Sequence, residues 1–187
     1  MKKRLIDLVA ALTLSVLLFP ITMVVGVLVR MTSPGPMFYW SNRVGRGNKI
    51  FKMPKFRSMR ISAPTVATHL LNDPETYLTP VGSLLRKSSL DELPQLWSIL
   101  KGDMSFVGPR PALFNQYDLI WLRTEYGVHV LLPGLTGWAQ VNGRDNLTIP
   151  EKVSLDVEYL QRQSVWFDLK ILWMTLMKVL RSDGVSH

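Results

Sequence analysis

The 187-residue sequence contains no cysteine, and only three of its residues are histidine. The lack of cysteine excludes a disulfide framework, a thiolate zinc site and a thiol nucleophile. The histidines, His69, His129 and His187, are far apart in sequence, so a histidine-built metal site or a Ser-His triad has little support. Carboxylates and cations must therefore carry any chemistry.

Acidic residues are scarce relative to basic ones. The chain has 22 Lys and Arg against 14 Asp and Glu, which gives a formal net charge of +8. Such an excess suggests a polyanionic partner, which can be nucleic acid, anionic lipid or a phosphorylated substrate. Composition alone does not choose among these classes. The length is enough for one domain with its own hydrophobic core.

One long apolar run, "LIDLVAALTLSVLLFPITMVVGVLV" at residues 5–29, follows the basic "MKKR". A helix of about 25 residues can cross a bilayer, whereas a cleaved signal peptide has a shorter apolar region and a small-residue cleavage site. Basic residues flank both ends, which predicts that both ends are cytoplasmic. Pro20 lacks the amide that would bond the carbonyl of Val16, so we expect a bend near Phe19–Pro20. These residues leave two alternatives open: a helix that enters and returns, or a kinked spanning helix.

The segment "VWFDLKILWMTLMKVLR" at residues 165–181 predicts an amphipathic helix. One face carries the apolar residues Trp166, Leu169, Leu172, Trp173, Leu176, Val179 and Leu180. The other carries Asp168, Lys170, Thr175, Lys178 and Arg181, and is blurred by Phe167, Ile171 and Met174. Tryptophans beside cationic residues are typical of a helix at a membrane surface. A core-packed helix is the alternative, but the N-terminal run favours the membrane surface.

Between these ends, the sequence predicts short elements joined by loops. Aromatic and basic residues around the turn at residues 45–47 predict a β-hairpin within residues 37–59. A helix is expected from about Glu92 to Lys101, with Gly102 as its C-terminal stop. Its inward residues are expected to be Leu93, Leu96, Trp97 and Leu100. Residues 111–127 are another amphipathic helix candidate, and "WAQV" at 138–141 resembles a short strand between turns.

Two adjacent carboxylates, Asp91 and Glu92, stand in "SSLDELPQL" at residues 88–96. One interpretation is structural, because Asp91 can cap the helix that follows. Glu92 would then complement the helix dipole in the first turn, and Pro94 would occupy a position where its missing amide costs little. This interpretation explains the spacing without any function.

The other interpretation is catalytic, because cations surround the acidic pair in sequence. Arg86 precedes it, and "GDMSFVGPRP" at residues 102–111 follows it with prolines and Gly108 that would fix the backbone presenting Arg110. Such a set suits phosphoryl transfer, in which a carboxylate attacks phosphorus or holds a divalent ion while guanidinium groups neutralise the developing charge.

Four motifs in fixed order resemble the bacterial sugar transferase family. They are "KFRSM", "LRKSSLDELPQLWSILKGDMSFVGPRP", "PGLTGWAQVNGR" and "SLDVEYL". The resemblance covers essentially the whole chain and is to the small monotopic phosphoglycosyl transferases, such as the bacillosamine-phosphate transferases, which load a sugar phosphate onto polyprenyl phosphate. The stretch "LLPGLTG" lacks the arginine that often precedes Pro-Gly in that family, which affects only a contact made by that side chain.

The resemblance implies transfer of a sugar-1-phosphate from a UDP-sugar to undecaprenyl phosphate, with release of UMP, as the first membrane step of glycoconjugate synthesis. Asp91 would be the nucleophile that carries a covalent sugar-phosphate, and Asp91 and Glu92 together would bind Mg²⁺. The residues expected to contact substrate are Lys55, Arg57, Arg86, Arg110, Arg144 and Asp156.

The resemblance also implies an α+β, mostly helical fold whose residues 1–33 form a re-entrant membrane anchor bent at Pro20. Residues 34–187 would form the catalytic domain, a loop-rich globular part with a small β-hairpin and interfacial helices. The expected location is the cytoplasmic face of the bacterial inner membrane, with anionic phospholipid and downstream glycosyltransferases as partners and no nucleic acid. Two alternatives from other classes stay open: a membrane-tethered magnesium-dependent phosphatase and a non-enzymatic module that binds anionic lipid.

Overall fold

The computed structural model describes residues 2–64, 73–143 and 146–181. Its helices are α1 (Lys2–Leu17), α2 (Phe19–Thr32), α3 (Gly82–Lys87), α4 (Gln95–Lys101), α5 (Tyr117–Glu125), α6 (Trp138–Asn142), α7 (Ile149–Arg162) and α8 (Val165–Arg181). Its strands are β1 (Phe38–Val44), β2 (Ile50–Phe56), β3 (Ser105–Val107) and β4 (Gly134–Thr136). Short 3₁₀ turns occupy Arg46–Asn48, Pro74–Tyr77, Leu90–Glu92 and Val128–Val130. The predicted α+β, mostly helical class is confirmed for these residues.

The predicted β-hairpin is confirmed. Strands β1 and β2 pair antiparallel from Phe38 opposite Phe56 to Val44 opposite Ile50. Gly47 makes the reversal possible with a φ of 64°, a left-handed conformation that glycine adopts without a steric penalty. The hairpin therefore presents one face, through alternate residues of both strands, to the rest of the molecule.

A second, parallel pair joins β3 to β4, with Ser105 opposite Gly134. The prediction of a strand at "WAQV" is wrong, because the strand precedes these residues and they form α6 instead. Trp138 and Val141 both pack against the cluster around Tyr159. A spacing of three residues on one side is helical, and a strand would point these two side chains to opposite faces.

The helix predicted from Glu92 begins later, at Gln95, with Pro94 in the capping position. Asp91 and Glu92 lie in the preceding 3₁₀ turn, so the structural interpretation of Asp91 as the cap of this helix is wrong. Pro94 lacks the amide that would continue the hydrogen bonds of the acidic turn into α4, which separates the two. The predicted stop is confirmed, since Gly102 has a φ of 100° and its amide bonds the carbonyl of Ser98 at 3.1 Å.

The inward face of α4 differs in part from the prediction. Leu96 and Ile99 are buried, whereas Trp97 is 60% exposed. The later start at Gln95 leaves two turns of helix, and their inward side is set by a three-residue spacing that excludes Trp97. Leu96 and Ile99 form a core cluster with Ala11 of α1, so α4 packs directly against the N-terminal helix.

The predicted bend in the N-terminal run is confirmed, with a 62° angle between α1 and α2. The break falls at Leu18, and Pro20 lies in the first turn of α2, where a missing amide removes no helical bond. The Thr22 hydroxyl donates to the carbonyl of Leu18 at 2.8 Å. Within the described residues, no single helix has the length and hydropathy to cross a membrane, and α1 and α2 reach that threshold only as a bent pair.

Basic residues at the start of α1 hold it against the globular part. The Arg4 guanidinium donates to the carbonyls of Ile99 at 2.6 Å and Leu100 at 2.9 Å. The Lys3 ammonium lies 2.5 Å from Asp168 of α8. These side chains, read in the sequence only as a charged flank, therefore fix the N-terminus to α4 and α8.

Arg57 holds the other end of the helix pair. Its guanidinium donates to the Ser33 carbonyl at 2.8 Å and hydroxyl at 2.7 Å, and also to the carbonyl of Pro34. Arg57 follows β2 directly, so this contact ties the end of α2 to the hairpin. Both ends of the bent pair consequently contact the same globular body.

Helix α8 packs through the residues that blurred its polar side. Phe167 and Ile171 are buried against Tyr159 of α7. The predicted apolar face is left uncovered by the rest of the described chain, with Trp166 82% exposed and Trp173 63% exposed. Helix α8 is therefore packed in the core through Phe167 and Ile171, while its predicted apolar face is exposed among the described residues.

Candidate active site

The acidic pair lies in a single 3₁₀ turn, Leu90–Glu92, between α3 and α4. Leu90 and Leu93 flank the pair and pack against the core cluster of α2, β2 and α3. Because these apolar neighbours anchor the turn to the core, Asp91 is only 7% exposed. Burial of this kind disfavours the charged form of a carboxylate, so the ionisation of Asp91 depends on its neighbours.

Ser89, which leads into this turn, has a left-handed backbone conformation with a φ of 56°. Its amide donates to the Arg86 carbonyl at 3.2 Å, and its own carbonyl accepts from the Glu92 amide at 3.1 Å. A non-glycine residue in this region stores about 1–3 kcal/mol, and such strain clusters at functional sites. The surrounding hydrogen bonds therefore fix the entry of the chain into the acidic turn.

Cations from three separate elements approach the acidic pair. The Lys55 ammonium, from β2, lies 2.6 Å from Glu92 Oε1 and 3.9 Å from Asp91 Oδ2. Arg110, which follows β3, has its Nη2 3.9 Å from Glu92 Oε1. Arg86 of α3 acts electrostatically on Asp91. Three of the residues predicted to contact substrate are thus brought together with the acidic pair.

Two opposing effects act on the ionisation of Asp91. Burial raises the pKa of its carboxyl above the usual range, and the neighbouring charge of Glu92 adds to that rise. Lys55 is the strongest opposing charge, followed by Arg86 and Arg110, which favour the ionised form. The carboxylate is therefore poorly solvated and depends on these cations, which suits a nucleophile that attacks an anionic phosphate.

The loop that carries Arg110 is fixed at its base by two glycines. The Gly108 amide donates to the carbonyl of Thr136 at 2.9 Å, and the Gly134 amide donates to the carbonyl of Pro109 at 2.9 Å. A Cβ atom on Gly134 would lie 2.1 Å from the Gly108 nitrogen, a distance that no side chain tolerates. The glycines of "VGPRP" and "PGLTG" are therefore required by a close approach of two backbones.

Arg43 is a site residue that sequence reasoning did not single out. Its Nη1 donates to the carbonyl of Pro111 at 3.0 Å, and its Nε donates to the Ser41 hydroxyl at 2.9 Å. Burial and the adjacent charge of Arg110 lower the pKa of Arg43 to about 10. The hairpin pairs Lys55 with Tyr39, so the two-residue period of β1 could have placed Arg43 on the same face as Lys55.

Asp156 was predicted to contact substrate, which stays a prediction, and the structure pairs it with Arg123. The Asp156 side chain is 1% exposed, and its Oδ2 accepts from Arg123 Nε at 2.9 Å and Nη2 at 2.7 Å. The third donor of that guanidinium, Nη1, bonds the carbonyl of Arg110 at 2.7 Å. Asp156 therefore reaches the site through Arg123, a second residue that sequence reasoning missed.

The remaining predicted site residues lie elsewhere. The described hydrogen bonds of Arg57 go to Ser33 and Pro34, and a substrate contact from this 5% exposed residue stays a prediction. Arg144 lies outside the described residues. Pro20 is at the bend of the helix pair, as expected.

The acidic pair was also predicted to bind Mg²⁺. Across residues 2–64, 73–143 and 146–181, no group of three or more acidic, histidine or cysteine side chains is placed to hold a metal by itself. Asp91 and Glu92 nevertheless supply two adjacent carboxylates, the hard oxygen donors that Mg²⁺ prefers. Because Mg²⁺ usually completes its shell with water and substrate phosphate oxygens, this pair fits a Mg²⁺ ion bound together with a diphosphate.

A family model described as bacterial sugar transferase matches residues 1–182. The chain belongs to the bacterial sugar transferase family. The expectation from the four motifs is confirmed, and the acidic pair, Lys55 and the Arg110 loop all lie within the matched region.

Curated relatives of this bacterial sugar transferase include an "Uncharacterized sugar transferase EpsL" of Bacillus subtilis (strain 168), 43% identical over 99% of this chain and 90% of the relative. A UDP-glucose:undecaprenyl-phosphate glucose-1-phosphate transferase of Escherichia coli (strain K12) is 41% identical over 94% of this chain and 39% of the relative. A UDP-N-acetylgalactosamine-undecaprenyl-phosphate N-acetylgalactosaminephosphotransferase of Aeromonas hydrophila is 36% identical over 97% of this chain and 44% of the relative. The chain thus spans less than half the length of these last two relatives.

Proposed function

We propose that this bacterial sugar transferase moves a sugar-1-phosphate from a UDP-sugar to undecaprenyl phosphate through a covalent intermediate on Asp91. The observation that carries the proposal is Asp91 itself: a buried carboxylate beside Glu92, facing Lys55 and two arginines. The names of the Escherichia coli and Aeromonas hydrophila relatives support the two substrates. The sugars in those names differ, so the sugar that this chain transfers must be determined by testing several UDP-sugars.

In the first half-reaction, an oxygen of the Asp91 carboxylate attacks the sugar-bearing phosphorus of the UDP-sugar. The bond from that phosphorus to the bridging oxygen breaks, and UMP leaves with the electron pair. The sugar-phosphate stays on Asp91 as an acyl phosphate. Lys55 and Arg110 lie within reach of the acidic pair, where their charges stabilise the developing negative charge on the phosphoryl oxygens.

In the second half-reaction, a phosphate oxygen of undecaprenyl phosphate attacks the same phosphorus. The bond to the Asp91 oxygen breaks, which restores the carboxylate and yields the polyprenyl diphosphate sugar. Both steps exchange one oxyanion for another, so neither requires an oxidant, a reductant or a base. Asp91 and Glu92 would hold Mg²⁺, and the ion would neutralise diphosphate charge when bound.

The location that fits these substrates is a membrane surface, since the acceptor is a lipid and the donor is soluble. The uncovered apolar face of α8 carries Trp166 and Trp173, and basic residues flank the N-terminal pair. We assign residues 1–33 to a re-entrant anchor and residues 34–187 to the catalytic domain, at the cytoplasmic face of the inner membrane and in contact with anionic phospholipid. Downstream glycosyltransferases would extend the lipid-linked product.

Support for a returning anchor comes from its contacts. Lys3 and Arg4 bond α8 and α4 at one end of the pair, and Arg57 bonds Ser33 at the other. In a straight spanning helix, Lys3 and Arg4 would lie on the far side of a bilayer about 30 Å thick and could not make these contacts. The contacts therefore favour return over spanning.

Intact-protein mass spectrometry tests the proposed reaction. Protein reconstituted in lipid is incubated with Mg²⁺ and UDP-glucose, UDP-galactose or UDP-N-acetylgalactosamine, without acceptor. One donor is expected to add the mass of its sugar-phosphate, and undecaprenyl phosphate is expected to discharge the adduct to a lipid product. Asp91→Asn should form no adduct, and an equal adduct on that variant would refute the assignment. UMP release with free sugar-phosphate and no lipid product would identify a phosphatase instead.

A further inference from the structure

Two arginines from distant parts of the chain bind consecutive backbone carbonyls in the Arg110 loop. Arg123 of α5 donates to the carbonyl of Arg110 at 2.7 Å. Arg43 of β1 donates to the carbonyl of Pro111 at 3.0 Å. The two peptide planes that follow the Arg110 side chain are thus each held by a guanidinium group.

Each of these arginines is held in turn. Asp156 of α7 accepts two hydrogen bonds from Arg123 and is 1% exposed. The Ser41 hydroxyl accepts from Arg43 at 2.9 Å and is part of a buried residue. The three guanidinium nitrogens of Arg123 donate to Asp156 and to the carbonyl of Arg110, so Arg123 links α7 to the loop.

The backbone of this loop has little freedom apart from these carbonyls. Pro109 and Pro111 each have a fixed φ, which restricts the backbone on both sides of Arg110. Arg123 and Arg43 hold the carbonyls of Arg110 and Pro111, so the two arginines restrain the backbone from which the Arg110 side chain leaves the loop.

We propose that Arg43 and the Arg123–Asp156 ion pair are positioning residues, which act by holding the Arg110 guanidinium toward Glu92 and the phosphates of the donor. This inference rests on the proposed function. A displacement of such a group by about 1 Å is enough to slow a reaction roughly 100-fold. The Arg110 Nη2 atom lies 3.9 Å from Glu92 Oε1, so a shift of the loop would move the guanidinium out of reach of the site.

A double-mutant cycle separates positioning from general stability. Arg123→Lys and Arg43→Lys keep the positive charge but lose the planar fork that makes several bonds at once. Each is expected to lower kcat/KM for the active UDP-sugar roughly 10-fold in the parent protein. In an Arg110→Ala background, each is expected to change kcat/KM by less than about 2-fold, because residues that act through one group are not additive.

The matched control is Arg4→Lys. Arg4 also donates to two consecutive carbonyls, those of Ile99 and Leu100, but these are at the end of α4 and not in the Arg110 loop. Any loss caused by Arg4→Lys should be the same with and without Arg110. Thermal melting of every variant measures its stability separately, and Asp156→Asn provides a second way of releasing Arg123.

Two results would overturn the proposal: additive losses for both Arg43→Lys and Arg123→Lys, or no loss from either in the parent protein. Coupling to Arg110 that Arg4→Lys does not show would support it. The proposed function is tested separately by the adduct on the parent protein and its loss in Asp91→Asn. If that adduct forms and the cycle is additive, the positioning role alone is wrong.

Discussion

The ammonium of Lys55 lies 2.6 Å from the Glu92 carboxylate, and it is also 3.9 Å from Asp91. A single ammonium group therefore interacts with two adjacent carboxylates, and one of them, Asp91, is the proposed nucleophile. Without it, both negative charges would stand side by side in a buried turn, and the protonation of one would relieve the repulsion. Lys55 thus helps to keep Asp91 ionised, because its charge opposes the rise in the pKa of that carboxyl.

The first prediction concerns Lys55→Met and the pH dependence of adduct formation. The pKa of Asp91 is already raised by burial, and Lys55 is the strongest charge that opposes the rise. Its removal should raise that pKa further, so the acidic limb of the rate against pH should move to higher pH. At neutral pH the rate should fall about 100-fold, as for loss of a group that stabilises transition-state charge.

Lys101→Met is the control for this prediction, because Lys101 also pairs with a carboxylate, Asp103, at 2.9 Å, but on the surface. It should leave the position of the acidic limb unchanged. The same limb for Lys55→Met and the parent protein would mean that Lys55 does not act on the ionisation of Asp91.

The second prediction concerns the stability of Asp91→Asn. Burial raises the pKa of folded Asp91 above its value in the unfolded chain, so the folded state binds the proton more tightly. The ionised carboxylate consequently opposes folding, and this effect is absent below the unfolded pKa and grows as pH rises through the folded one. Asp91→Asn should therefore melt at a higher temperature than the parent at pH 7, and the difference should shrink in acid.

Asp156→Asn is the matched comparison, because it changes another buried aspartate to the same amide. Burial raises the pKa of Asp156 as well, but Asp156 accepts two hydrogen bonds from Arg123. Its replacement leaves that guanidinium without its ion partner, and breaking a buried pair typically costs about 3–5 kcal/mol, which outweighs the gain from removing the charge. Its melting temperature should fall by roughly 6–20 °C, since about 1 kcal/mol corresponds to about 2–4 °C in a domain of this size. A fall for both variants at pH 7 would contradict the sign given for Asp91.

The third prediction concerns the N-terminus. Lys2 and Lys3 carry the same charge, but Lys2 is exposed and Lys3 bonds Asp168 and Tyr159. Replacing Pro20 by alanine stabilises a continuous helix through this position by about 3 kcal/mol. In a Pro20→Ala background, Lys3→Met should therefore shift more molecules to a spanning form than Lys2→Met does.

A single cysteine added before Lys2 reports this topology, since the native chain contains no cysteine to confuse the labelling. In the parent protein, an impermeant thiol reagent should label it only from the cytoplasmic side. Labelling of the parent from the periplasmic side would refute the re-entrant anchor. Equal labelling of the Lys2 and Lys3 variants would show that charge alone, and not the contact with Asp168, controls the topology.

The fourth prediction concerns Ser89, whose φ of 56° is strained for a residue with a side chain. Ser89→Gly should raise the free energy of unfolding by about 1 kcal/mol, because glycine adopts this conformation without penalty. Ser88→Gly should lower it, since Ser88 has a φ of −85° and its hydroxyl bonds the carbonyl of Leu84. Denaturant titration checks both signs, and a loss in both would show that Ser89 is not strained.

Several local features were predictable because neighbouring residues determine them. The turn at Gly47, the stop at Gly102 and the bend near Pro20 each follow from the backbone preferences of one or two residues. The acidic pair and the Arg110 motif were found from sequence because charges and prolines stand together there. The strand at "WAQV" was predicted wrongly because four residues do not distinguish a strand from a short helix, and the packing of Val141 decides between them.

The sequence alone determined the hairpin, the N-terminal and C-terminal helical segments, the excess of positive charge and the identity of the acidic pair, because these depend on residues close in the chain. Only the tertiary structure decided which cations face that pair. Lys55 and Glu92 are 37 residues apart, Arg123 and Asp156 are 33 apart, and Lys3 and Asp168 are 165 apart. No local preference encodes such contacts, since they arise when separate apolar faces pack together and place the charges between them.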